Sequence, residues 1–157
     1  MPLAGAVPVR RYKERSSLAH SLEIVGERWS FLILRDMWLW GPLRFAELQE
    51  SLGIARNILA NRLVTLVSSG VVDRRLYQTR PDRYELLLSE RGEDLVPTLL
   101  SLTAWGDRHF AGGAEPTPLV RHRDRNHRAE PLTVCRLCGE ELTMRNLEPA
   151  PGPGAPR

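Results

Sequence analysis

The chain has 157 residues, 42% of them hydrophobic, enough for one ordinary domain with a packed core and a further appendage. Its formal net charge is +3, and charges interrupt every apolar run short of the ~20 residues that a membrane helix needs. The opening stretch, MPLAGAVPVRRYKERSS, lacks the long apolar core of a secretory signal, so no membrane partner and a cytoplasmic location are expected. Lys13 is the one lysine among 22 basic residues, a skew that reflects base composition, so the placement of arginines informs more than their number.

Residues 1–15 read as a basic arm, with Arg10, Arg11, Lys13 and Arg15 keeping the terminus soluble or tracking phosphates. Leu18, Leu22 and Val25 stand at four- and three-residue steps and predict a first helix, which Gly26 separates from a second over about 27–40. The second is apolar almost all round, through Trp29, Leu32, Ile33 and Trp38, which predicts a central position in the core. Gly41-Pro42 stops it. Trp29, Trp38 and Trp105 read as core or interface bulk rather than as a ligand pocket.

Residues 44–88 hold the most information: a helix, a short turn, a second helix, then two strands around a basic tip. Phe45, Leu48 and Leu52 mark the buried stripe of the first of these helices, and Gly53 breaks it. The second, about 55–69, is predicted to bury Leu59, Leu63, Leu66 and Val67 and to present Asn57, Ala60, Asn61 and Val64, with Arg56 on one flank. Gly70 stands where a helix-terminating glycine belongs. Strands follow at 71–76 and 84–88, with a hairpin tip at 77–83. Between 55 and 83 lie six arginines (56, 62, 74, 75, 80 and 83) against Asp73 and Asp82, a larger surplus than the whole chain carries.

An apolar-backed helix showing amides and arginine, followed by a basic hairpin, suits a DNA groove flanked by phosphates. Asn57 and Asn61 are the candidate base readers, because an amide can pair bidentately with adenine. Arg56 can read guanine or clamp a phosphate, and Arg44 sits where a phosphate contact is expected. Arg62 lies toward the buried side of the wheel, so a bond inside the domain competes with a DNA contact. Arg80 and Arg83 are expected in or astride the minor groove.

Ser89 can cap one long helix running to Phe110, with Glu90, Glu93 and Asp94 in its first turns and Leu95, Leu99, Leu102 and Trp105 along one stripe. Composition changes after it: Gly112-Gly113, Pro116 and Pro118 form a linker, 111–148 an appendage, and 149–157 a Pro/Gly tail that cannot pack. Within the appendage, Cys135-x-x-Cys138-Gly139 has the shape of a zinc knuckle, with His122 and His127 upstream as further ligand candidates. A structural zinc is one reading of these four residues; inert thiols and redox chemistry are the others. No other cofactor is implied.

The residues resemble a known family. Ser17 to Asp36, SLAHSLEIVGERWSFLILRD, looks like the opening of HxlR-type winged helix-turn-helix regulators. Gly41 to Leu48 is similar to the family's next block, Ile54 to Leu66 to its recognition helix, and Pro81-Asp82-Arg83-Tyr84-Glu85 to its wing. The resemblance spans about 14–110 and implies a mainly α fold with a small β-hairpin, a winged helix-turn-helix dimerised through its terminal helices. It further implies a bacterial or archaeal transcription factor, not an enzyme, that binds double-stranded operator DNA as a homodimer and associates with the nucleoid when bound. Any small-molecule effector would sit between the dimerising helices and the winged core; nothing in the residues identifies one. Ser16 replaces the cysteine that some members use as a redox sensor, which rules out thiol sensing at that position. Tyr84 and Leu86 stand where valine and tyrosine are usual, and Arg125 where extended members carry another cysteine. The competing function is a winged-helix adaptor for protein partners that does not bind DNA. No nucleophile, base and acid set, and no βαβ pattern around the cysteine pair, supports a hydrolase or a thiol oxidoreductase.

Overall fold

The second helix carries the fold. In the computed structural model, which describes residues 16–110, 112 and 120–150, α1 spans Ser17–Val25, α2 Arg28–Trp40, α3 Phe45–Leu52 and α4 Arg56–Ser68. The hairpin strands are β1 (Val72–Gln78) and β2 (Arg83–Leu88), followed by α5 (Glu90–Glu93) and α6 (Val96–Phe110). Helix α2 packs against α1, α3, α4 and β2, and buries Ile33, Leu34 and Met37. Around it Leu48, Ile54, Leu59, Leu63, Leu66, Val72 and Leu86 close the core. Each such side chain contributes roughly 1.5–3 kcal/mol on burial. The expected central place of α2 follows from its apolar circumference.

One polar contact pins α2 to α3. Asp36 is buried; its Oδ1 accepts from Arg35 Nε (2.9 Å) and Nη2 (2.7 Å), and its Oδ2 accepts from Ser51 Oγ (2.6 Å). A carboxylate taken out of water needs such partners, and here they fix the end of α3 beside the middle of α2.

Local signals end the helices where the sequence suggests. Ser16 Oγ accepts from the Ala19 backbone N–H at 3.0 Å and starts α1, so the residue in the family's cysteine position serves here as a cap. At the end of α4 the Gly70 N–H donates to the Val67 carbonyl (3.0 Å) and the Val71 N–H to the Leu66 carbonyl (2.9 Å), with Gly70 at φ +70°. This paired closure satisfies two carbonyls that a helix end leaves open and turns the chain into β1. The sheet is antiparallel, registered Val72↔Leu88 to Leu76↔Tyr84, with an irregularity at Tyr77 before Gln78 meets Arg83. Leu43 adds a bridge to Leu86 in both directions, 2.9 Å and 2.8 Å, which fastens the segment before α3 to β2.

Four expectations change. The strands reach further toward the tip, so Tyr77, Gln78 and Arg83 are strand residues and the turn is confined to 79–82. Within α4, Thr65 is buried and Val67 only half-buried, because the core-facing stripe is rotated slightly toward Thr65. On α1 the buried residues are Ala19 and Val25, while Leu18 (68% exposed) and Leu22 face outward. The single helix expected over 89–110 is two: Ser89 Oγ accepts from Gly92 N–H and donates to the Gly70 carbonyl, α5 lasts one turn, and α6 begins anew at Val96. Pro97, at the second position of α6, has no N–H to give a continuing helix but is tolerated in a first turn.

The chain divides into two compact units between Val96 and Pro97. The second unit includes most of α6, which the sequence reading grouped with the winged domain. Within it Arg128 Nη2 donates to Asp107 Oδ2 on α6 (3.2 Å), and two short antiparallel bridges, Arg121↔Arg128 and Val134↔Glu141, shape the appendage. Among the described residues no helix is long and apolar enough to cross a membrane. The basic arm at 1–15, the linker at 113–119 and all but the first two residues of the 149–157 tail lie outside the described residues.

Gly92 is buried, and a Cβ there would run into the Val71 carbonyl and press on Leu88. Gly92→Ala is therefore expected to cost about 1–3 kcal/mol in unfolding free energy, read from the urea midpoint. A midpoint unchanged from wild type would show that α5 is free to move off β1.

Candidate nucleic-acid interface

Helices α3 and α4, joined across Gly53, present one exposed edge that continues into the hairpin. Gly53 sits at φ +59°, the left-handed corner anticipated for it. With Leu59, Leu63 and Leu66 fixed in the core, the exposed side of α4 is defined: Arg56 and Asn57 are exposed and Asn61 is half-buried. Ile58 is also exposed on this first turn, which the wheel did not single out.

Three arginines are braced by aromatic rings. The guanidinium of Arg44 lies 4.8 Å from the centroid of Tyr77, that of Arg56 5.1 Å from Phe45, and that of Arg74 4.2 Å from Tyr84. Arg28, at the start of α2, has the same relation to Trp29. A ring face attracts a cation without neutralising it, so the charge is positioned and still available to a phosphate. The Arg44 backbone N–H also donates to Glu47 Oε2 at 2.6 Å, which closes the first turn of α3. Arg74 and Tyr84 are diagonal neighbours on one face of the hairpin, a relation that follows from the register rather than from spacing in sequence.

The surplus of arginine divides into paired and unpaired. Arg75 Nε donates to Glu85 Oε1 directly across the hairpin. Arg62 lies 3.9 Å from Glu27 with its side chain only 17% exposed, so of the two roles left to it by sequence the geometry favours the bond inside the domain. Both acids lie outside the 55–83 window in which the charge was counted, and so the count overstated the free charge. Arg44, Arg56, Arg74, Arg80 and Arg83 have no carboxylate partner among the described residues. Arg80 occupies the hairpin turn at φ +65°, exposed, and Arg83 opens β2 after the turn. The geometry thus brings Arg44, Arg56, Asn57, Arg80 and Arg83 to exposed positions, Asn61 to a half-buried one, and sets Arg62 apart.

The zinc ligand candidates do not assemble. The rings of His122 and His127 lie tilted against each other with centroids 5.1 Å apart, and Cys135 and Cys138 share a turn. Among the described residues no group of three or more His, Cys, Asp or Glu is placed to hold a metal ion. The two pairs are not gathered into the four-ligand set that a tetrahedral zinc takes.

The family model described as HxlR-like helix-turn-helix matches residues 24–113. The chain belongs to the HxlR family. An uncharacterized HTH-type transcriptional regulator of Mycobacterium bovis is 43% identical over 141 residues, covering 90% of this chain and 89% of that protein. The crystal structure of PA1607, a candidate transcription factor, superposes with a TM-score of 0.76 at 31% identity, over 88% of this chain and 96% of that one. PA1374 from Pseudomonas aeruginosa, likewise a candidate transcription factor, gives a TM-score of 0.60 at 35% identity, over 90% and 95%. The winged helix-turn-helix fold expected from the sequence is the fold observed, and membership of HxlR places the chain among transcriptional regulators rather than enzymes.

If Tyr77 braces Arg44, the double-mutant cycle of Arg44→Ala and Tyr77→Ala should show a coupling of roughly 0.5–1 kcal/mol in unfolding free energy. Additive effects of the two changes would mean that the ring and the cation do not interact.

Proposed function

We propose that this HxlR regulator binds double-stranded DNA as a homodimer on a two-fold-related operator, with α4 in the major groove and the hairpin tip on the minor groove or its backbone. The observation that carries this reading is the set of arginines without carboxylate partners among the described residues, along the start of α3, the start of α4 and the hairpin, next to an exposed amide at Asn57. Arginine braced on aromatic rings suits phosphate contacts, which set register and orientation. Asn57, with Asn61 behind it, supplies base-edge hydrogen bonds, and Arg56 reaches either a guanine or a phosphate. Arg80 and Arg83 meet the minor groove or the phosphates beside it. Arg62 is left out of the DNA-facing set because it is mostly buried and near Glu27.

Pairing of two chains has its own support. Leu18 and Leu22 are exposed on α1, and Leu102, Trp105 and Phe110 are exposed on α6. Apolar helix faces of this kind need cover, and a second copy would set two reading helices about one DNA turn (~34 Å) apart.

Fragments selected by the purified protein from genomic DNA provide the test substrate. Asn57→Ala is expected to lose about 1–3 kcal/mol on a selected site and to relax preference at one base pair, measured by fluorescence anisotropy. Equal loss on a scrambled site would remove Asn57 from the base readers. Arg80→Ala is expected to weaken both sites alike and to flatten the slope of log K against log salt by about one unit. Should the slope stay at its wild-type value, the hairpin tip does not touch phosphate.

A further inference from the structure

The appendage carries a second basic hairpin, separate from the reading edge of α3, α4 and the β1–β2 tip. Between 121 and 128 stand four arginines against Asp124, whereas from 129 to 150 Arg136 and Arg145 meet Glu130, Glu140, Glu141 and Glu148. Positive charge in the appendage is thus gathered into one short run. That run is also shaped. The Ala129 N–H donates to the Val120 carbonyl (2.8 Å) and the His122 N–H to the His127 carbonyl (3.3 Å), which closes two short arms bridged at Arg121↔Arg128. At the tip the His127 N–H donates to the Arg125 carbonyl at 2.7 Å, and the Arg125 N–H to the His122 carbonyl at 3.4 Å. Every residue from 121 to 128 is exposed. Arg128 is paired with Asp107, while Arg121 Nη1 donates to Asn126 Oδ1 (3.3 Å), a neutral partner that positions the charge without cancelling it. Arg123 and Arg125, in the tip, have no carboxylate partner among the described residues, Asp124 between them included.

What the run lacks narrows the partner. No residue from 121 to 128 is aliphatic, none is Phe, Tyr or Trp, and the rings of His122 and His127 lie against each other. A membrane-surface segment needs an apolar face to bury, and single-stranded nucleic acid is held largely by bases stacked on aromatic rings. A duplex backbone asks for neither. It offers a dense line of phosphates that exposed guanidinium groups bind by charge and by hydrogen bonds. We infer that the hairpin tip at 123–126 is a second DNA contact, with Arg123 and Arg125 donating to backbone phosphates of duplex DNA and Arg121 adding positive charge at its base. Such contacts carry no base preference; they add affinity to whatever sequence α4 selects. Closed by its own backbone bonds, the hairpin loses less freedom on binding than an open run of arginines would. The inference rests on the DNA-binding reading proposed above and adds a surface to it.

The full-length protein, titrated over a range of salt onto long genomic duplexes that it selects, provides the test. The pair Arg123→Ala and Arg125→Ala is expected to flatten the slope of log K against log salt by about two units, at roughly 0.9 per phosphate released. Its ratio of affinities for selected and scrambled duplexes should stay at the wild-type value, unlike that of Asn57→Ala. The pair Arg123→Lys and Arg125→Lys should keep most of the slope, because an ammonium group retains the charge; a guanidinium needed only for the shape of the hairpin would not be replaced in this way. Far-ultraviolet circular dichroism of each variant checks that the fold is kept. With wild-type protein bound to duplex, the inference is overturned if the alanine pair leaves the slope unchanged or if the lysine pair loses as much slope as the alanine pair. It is equally overturned if the alanine pair alters retention on phosphatidylserine vesicles and not on duplex. Failure of the wild type to bind any duplex would instead remove the DNA-binding reading itself, and this inference with it.

Discussion

Everything exposed on the reading edge depends on how α4 is seated. Leu59, Leu63 and Leu66 are essentially removed from water, which fixes the rotation of the helix about its own axis. A helix held at three such positions cannot roll without opening cavities whose cost is several kcal/mol. The same constraint sets the hairpin, because the closure at Gly70 runs straight from the last turn of α4 into β1. Asn57, Arg56 and the arginines of the wing therefore hold their mutual placement through one buried stripe, not through contacts among themselves.

Charge on this edge is organised by subtraction as much as by accumulation. Glu85 and Glu27 take Arg75 and Arg62 out of the available set, and aromatic rings position Arg44, Arg56 and Arg74 without neutralising them. Among the described residues, what remains free lies at the starts of two helices and along the hairpin. Membership of the HxlR family accords with that distribution.

Much of this was legible in the residues. The apolar period of α2 and α4, Gly53, Gly70 and the strand-rich run after it carry local signals that tertiary packing does not override. Much of what the residues do not display depends on partners distant in sequence. The role of Arg62 turns on Glu27, that of Arg75 on Glu85, and the bracing of Arg44 on Tyr77, none of which a helical wheel displays. The bridge from Leu43 to Leu86 is likewise invisible locally. Pro97, by contrast, was a local signal that could have shown the break between α5 and α6.

Chemical protection of a selected operator by the wild-type protein tests the seating of α4 most directly. Dimethyl sulfate methylates guanine N7 in the major groove and adenine N3 in the minor groove. The proposed homodimer, with α4 in the major groove, predicts N7 protection in two patches about one helical turn apart, each flanked by N3 protection where a hairpin tip lies. Protection confined to the minor groove, or none at all on a fragment that the protein retains, would contradict it.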